Sequence, residues 1–256
     1  MMKTLIYNGS FEGLLTAVFE VFEYRFNEFE IISEENFNTE NLFAENFDVV
    51  ANTEKAKRVL NRVEKTFGAK ITRNLLKIFL SEHSQKERLI LAAIQKIIEN
   101  PKVNAFNDLG DDNMLEISKI LKSMGREIHR MHAFVRFERL QDEVYFAKIE
   151  PDFDVLPLIG KHFQKRYADQ KWMIFDLKRH YGINYDLKTV EFFYPQPEQI
   201  QNFRNAAEFH HEEEKKFQNM WQNYFIKTGI PARKNIKLHI QHIPKRYWKY
   251  LTEKQK

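Results

Sequence analysis

Between residues 53 and 100 the chain carries three amphipathic helical runs in succession, with no strand signal between them. A doubly wound sheet needs a strand between consecutive helices, so this stretch argues against a regular βαβ alternation. Asn52 or Thr53 supplies the first N-cap, and Gly68 stands in the usual place after the last turn. A second helix is expected over 71–80. Ser84 and Glu87 have the spacing of a capping box ahead of Leu89, Ile90, Ala93, Ile94, Ile97 and Ile98, and Asn100-Pro101 ends that run.

On either side the pattern is mixed. Residues 3–7 alternate as a short strand, Asn8-Gly9 is turn chemistry, and Ser10 caps a helix to about residue 26. Residues 29–32 and 47–50 read as short strands. After a polar loop at 104–113, a helix leads from Met114 to Arg130. Residues 134–140 and 144–150 flank Gln141-Asp142-Glu143 as a β-hairpin. Asp154 caps a helix to Tyr167, with Pro157 in its first turn. Residues 172–177 and 189–193 read as strands around Tyr181-Gly182, and Pro197 opens one long helix to Lys227. The expected class is therefore α+β, with helices around a mostly antiparallel sheet built from hairpins. The chain reads as one family-sized domain with two lobes: a mainly helical one over 1–103 and an α+β one over 114–256.

Composition narrows the chemistry. The 256 residues contain no cysteine, which removes disulfides, thiolate nucleophiles and Cys-ligated metals. Glycine occurs only 8 times, and no G-x-x-x-x-G-K-[ST] or G-x-G-x-x-G phosphate cradle is present. No apolar run approaches the ~18–20 residues of a membrane span, and the start lacks the features of a signal peptide. A cytoplasmic protein is expected, with no resident cofactor or metal.

Charge is unevenly spread behind a net +4: residues 1–54 sum to −9 and residues 227–256 to +8. The basic end sets Arg233, Lys234, Lys237, Lys245, Arg246 and Lys249 among Gln241, His242, Tyr247, Trp248 and Tyr250. Clustered cations with interleaved aromatics suit a phosphate backbone with stacked bases. Such an end can equally dock on the chain's own acidic start or on an acidic partner. Arg130 and Arg136, whose guanidinium forks suit bidentate phosphate contact, fall near His129 and His132 and could join the same surface. Tyr247 or Trp248 is the expected stacking group.

Three patterns could carry chemistry. His129/His132 and His239/His242 are both H-x-x-H, which on a helix places two imidazoles on one side without specifying a third ligand. His210-His211 followed by Glu212, Glu213 and Glu214 reads as a solvated helix face. Glu150, Asp152 and Asp154 gather at a strand end with Asp176-Leu177-Lys178 downstream, a degenerate version of the metal-dependent nuclease pattern.

Four stretches together resemble a known family: Tyr7-Asn8-Gly9-Ser10-Phe11-Glu12-Gly13-Leu14-Leu15, EIHRMHAFVRF at 127–137, AKIEPDFDVLPLIGKHFQKRYADQKWMIFD at 147–176, and LHIQHIPKRYWKYLTE at 238–253. In this order they are similar to an uncharacterised bacterial family described as "probable DNA metabolism" proteins. Its members are encoded beside a radical-SAM protein of DNA modification or repair, and a similar domain occurs fused to uracil-DNA-glycosylase-like domains. Asn8 stands where the family more often has Asp. The resemblance implies DNA as a partner and a radical-SAM repair protein as a second one, without a defined reaction. The expectation is a DNA-binding accessory protein. The rival is a metal-dependent nuclease or DNA-base hydrolase using Glu150, Asp152, Asp154 and Asp176, with His129 beside them.

Overall fold

The computed structural model describes residues 2–38, 45–102, 104–229 and 235–255. The chain separates into two compact units, Met1–Met124 and Gly125–Lys256. The divide lies inside a helix rather than in the polar loop at 104–113.

The first unit begins β1 (Lys3–Tyr7), α1 (Phe11–Glu23), β2 (Phe29–Ser33) and β3 (Glu45–Val49), in sheet order β2-β1-β3. Both pairings are parallel. The class is α+β as expected, but this sheet is not made of hairpins: α1 fills the connection from β1 to β2, which is what a parallel pair requires. Gly9 takes φ 73° in the turn after β1, and Ser10 Oγ accepts from the Gly13 N–H at 2.9 Å. Helices α2 (Thr53–Phe67), α3 (Ala69–Leu80) and α4 (Lys86–Glu99) follow. Asn52 caps α2 through the Lys55 N–H. The expected capping box is absent, because Gln85 is the N-cap of α4 and Glu87 instead accepts from Tyr7 Oη at 2.8 Å. Leu89, Ile90, Ala93, Ile94 and Ile97 point into one core with Leu5, Leu14, Val18, Val63 and Leu75. Helix α5 (Asp112–Phe134) starts in this unit, to whose core it gives Met114, Ile117 and Ile120.

The second unit takes the rest of α5, then β4 (Glu138–Arg139), β5 (Tyr145–Ile149), α6 (Leu156–Arg166), β6 (Trp172–Asp176), β7 (Tyr181–Tyr185) and β8 (Val190–Phe193). The sheet order is β4-β5-β6-β7-β8. The β5–β6 pairing is parallel and the other three are antiparallel. The sheet is therefore mixed, because α6 serves as the crossover between β5 and β6. Residues 181–185 form a full strand where a turn was expected. Gly182 allows it: a Cβ there would lie 2.3 Å from the Phe193 ring and 2.8 Å from the Ile174 carbonyl oxygen. Phe163 of α6 packs on Trp172 with ring centroids 6.1 Å apart, while Phe175, on the opposite face of β6, meets Phe203 at 4.5 Å. Burying Phe163, Trp172 and Phe175 contributes on the order of 2–3 kcal/mol for each ring.

The expected long helix from Pro197 is broken into α7 (Ile200–Arg204), a 3-10 turn at Ala206–Phe209, and α8 (Glu214–Thr228). The break has a cause: His210 bridges to Leu140 beside the sheet, and buried Glu214 accepts the Arg139 N–H at 2.9 Å. The expectation of a solvated face over 210–214 fails there, since Glu214 is buried and His210 pairs with Glu138 at 3.0 Å. Then α9 (Ile236–His242), a 3-10 segment, Lys245–Tyr250, and a last 3-10 turn, Thr252–Lys254, follow. Among the described residues no helix is long and apolar enough to cross a membrane.

Candidate nucleic-acid interface

The site is assembled from three places in the second unit. One is the loop that follows β5, where Glu150, Asp152 and Asp154 come in close succession around Pro151. The second is the β6–β7 turn. The third is the 3-10 segment 245–250, which Pro244 separates from α9. β5 and β6 are parallel, so both strands deliver their carboxyl ends to this side, the edge of an α/β unit at which ligands are commonly held.

At its base lies Glu127 on α5, 1% exposed. Its Oε1 accepts from the Tyr247 hydroxyl and from the Asp152 N–H at 3.0 Å; its Oε2 accepts from Arg246 at 3.3 Å and Arg130 at 3.4 Å. A carboxylate out of water is tolerable only with this degree of satisfaction. Tyr247 is equally committed. It is 1% exposed and its ring lies 5.4 Å from Phe134. Burial first, then the hydrogen bond to Glu127, raises its pKa far above the tyrosine range. Tyr247 is therefore a structural anchor and cannot stack on a base. Trp248 is half-buried, donating through Nε1 to the Ile243 carbonyl at 2.9 Å.

The outer layer is a cleft of about 500 Å³ lined by Glu150, Pro151, Asp152, Lys178, Lys245, Arg246 and Lys249. Arg246 reaches Asp152 at 2.5 Å. Glu150 is held by Lys249 and accepts from the Tyr250 hydroxyl at 2.6 Å. The Lys249 ammonium first, and the Tyr250 hydrogen bond second, hold the Glu150 pKa below its ordinary value. Lys245 carries no ion pair among the described residues and is exposed at the rim. Lys237, Gln241 and His242 are exposed on α9. Arg233 and Lys234 lie outside the described residues.

The other sequence candidates scatter into distinct roles. Arg136 is not at the cleft; it pairs with Glu253 at 2.8 Å and packs over Trp221. Asp176 is fully buried: it accepts the N–H groups of Lys178 and Arg179 and pairs with the Arg179 guanidinium at 2.8 Å. Asp154 does not cap α6, whose N-cap is Val155; it receives the Tyr181 hydroxyl instead. Four carboxylates are thus brought near one sheet edge, yet each faces a cation or hydroxyl rather than a common point. Among the described residues no three His, Asp or Glu side chains form a metal-ligand group.

Both H-x-x-H pairs split. His129 and His242 are exposed, whereas His132 and His239 each have a buried, unpartnered Nε2. His132 stacks on His162 at 3.8 Å, and burial first, then the neighbouring His162 and His129, lower its pKa to about 4.

Glu127 is the residue that sequence reading missed, although a signal was there. It sits three residues after Met124 and four before Met131, both buried, so a carboxylate occupies the helix's inward stripe. Lys249 of the basic end and Lys178 of the nuclease-like pattern also reach the cleft.

None of the curated proteins compared with the chain matches it. A family model described as "Domain of unknown function (DUF4130)" matches residues 84–253, which take in α4, α5 and nearly all of the second unit. Three of the four stretches singled out in the sequence, 127–137, 147–176 and 238–253, lie inside that match; the last two line the cleft and Glu127 of the first lies beneath it. The chain belongs to the DUF4130 family of unknown function.

Proposed function

We propose that this chain is a DNA-binding accessory protein of DNA repair or modification that acts beside a radical-SAM enzyme, with the cleft and the adjoining face of α9 as the DNA-contacting surface. The observation that carries the reading is the charge of the cleft: Lys178, Lys245, Arg246 and Lys249 line it against Glu150 and Asp152. The surplus of positive charge is at the rim, where a phosphate backbone can reach it, while Glu127 holds the base in place. The radical-SAM partner rests on the family resemblance of the four sequence stretches.

The carboxylates support this surface rather than a hydrolytic centre. Glu150 orients Lys249 and Asp152 orients Arg246, and oriented cations give up less conformational freedom when a phosphate arrives.

Fluorescence anisotropy with labelled duplex and single-stranded DNA over a salt series tests the proposal. Affinity should fall steeply with salt, and Lys237→Ala with Lys245→Ala should weaken binding and reduce the slope of log K against log salt by about two phosphate contacts. Binding that ignores both salt and this double variant would remove the cleft from consideration.

A further inference from the structure

Helix α8 meets the C-terminal tail through a mixed polar and aromatic side: Gln222 donates to the Thr252 carbonyl at 2.9 Å, Trp221 Nε1 donates to Glu253 at 2.9 Å, and the Lys254 ammonium lies 4.6 Å from the centre of the Phe225 ring. The outward side carries Phe217, Met220 and Tyr224, which are 49%, 57% and 59% exposed. A contiguous exposed apolar stripe on an otherwise charged chain marks a surface that something covers.

The spacing along this stripe identifies its occupant. Glu213, Phe217, Met220, Tyr224 and Lys227 follow one another at intervals of four, three, four and three, the seam of a two-helix packing. Glu213, the N-cap, has helical φ and ψ of −79° and −12° and so continues the seam. Turned end for end about Met220, the series sets Glu213 against Lys227 and Met220 against Met220, with Phe217 and Tyr224 meeting one residue out of step between them. Glu213 is half-exposed and pairs with Arg139 at 3.6 Å, a solvent-accessible contact that a second cation can share. Antiparallel helices also set opposite macrodipole ends side by side. We propose that the chain forms an isologous dimer in which the α8 seams of two copies pack antiparallel about a two-fold axis at Met220. One pair of 15-residue helices is a short interface, so the dimer is dissociable. It is independent of the DNA-binding reading, whose residues lie on other elements.

Sedimentation of the full chain over a wide concentration series reads the monomer–dimer equilibrium. Met220→Glu puts two carboxylates together at the axis and should raise the dissociation constant roughly a hundredfold or more. Glu213→Lys should weaken association, and Glu213→Lys combined with Lys227→Glu should restore it. Because the chain has no cysteine, Met220→Cys introduces a single thiol that should oxidise to a covalent dimer, while Lys215→Cys, exposed on the opposite side of the same helix, should not. Monomer at every concentration overturns the proposal, as does a dimer indifferent to Met220→Glu, or equal cross-linking at 220 and 215. If the chain is monomeric and Met220→Glu abolishes binding of an oligo-dT strand, the stripe is a base-stacking platform and the dimer is wrong.

Discussion

The two pieces of the basic tail, α9 and the 3-10 segment 245–250, are both rich in basic and aromatic or imidazole groups, yet they have opposite fates. α9 buries no residue fully and leaves Lys237, Gln241 and His242 in solvent. The 3-10 segment sends Tyr247 into the protein and ties Arg246, Lys249 and Tyr250 to Glu127, Asp152 and Glu150. The difference comes from what each meets: the anchored piece lies on the acidic strand-end loop, and α9 has no carboxylate partner among the described residues. A basic, aromatic sequence thus has two separable roles here, and only the anchored piece depends on acid groups for its shape.

The largest effect expected from breaking that distinction is at Glu127. Glu127→Ala leaves the Tyr247 hydroxyl buried without its acceptor and two guanidinium groups without their shared carboxylate. The loss should be about 3 kcal/mol, read by urea unfolding of the full chain. Rescue of most of that stability by adding Tyr247→Phe would show that the stranded hydroxyl dominates the cost.

A smaller effect is expected with acid. The folded-state pKa of Glu150 lies below its unfolded value, so its contribution is complete above the ordinary carboxylate range and is lost as pH falls through the folded pKa. Amide-exchange protection over 245–250 should therefore decline on acidification and that of α9 should not follow it. Lys249→Ala should shift the decline to higher pH, because the ammonium is the main reason that the pKa is low. The two segments losing protection together would undo the distinction.

The smallest effect is at the solvent-facing lysines. Lys237→Ala with Lys245→Ala removes no ion pair within the described fold and should change stability by less than about 0.5 kcal/mol. Thermal unfolding of that variant is the check, and a larger loss would mean that α9 is anchored after all.

Much of the fold could be read directly. Strand β1, the Ser10 and Asn52 caps and the Gly68 stop follow from side-chain chemistry acting over a few residues, and the structure has them where that chemistry puts them. Strand pairing was harder. The segments at 144–150, a helix, and 172–177 spell a parallel crossover, which the hairpin signals nearby mask. Gly182 looked like a turn because nothing local reveals that Phe193 occupies its missing side chain. The cleft was half legible: the Glu150–Asp154 cluster and the Lys245–Trp248 stretch were both visible, and the structure joins them. What sequence could not convey was their mutual neutralisation, nor that Tyr247 turns inward, since both depend on residues about a hundred positions apart.

Helix α4 bears on how the family could be handled as a module. The match begins at residue 84, just ahead of this helix, yet Leu89, Ile90, Ala93, Ile94 and Ile97 are buried against a core supplied by residues 5–78. The boundary of sequence similarity and the boundary of cooperative packing therefore fall in different places. A chain trimmed to residue 84 would carry a water-exposed apolar helix at its start and invite aggregation. A cut at the junction of the two compact units, near Met124, would instead divide α5. Neither cut is clean, so the first 83 residues are inherited with the rest as part of one folding problem.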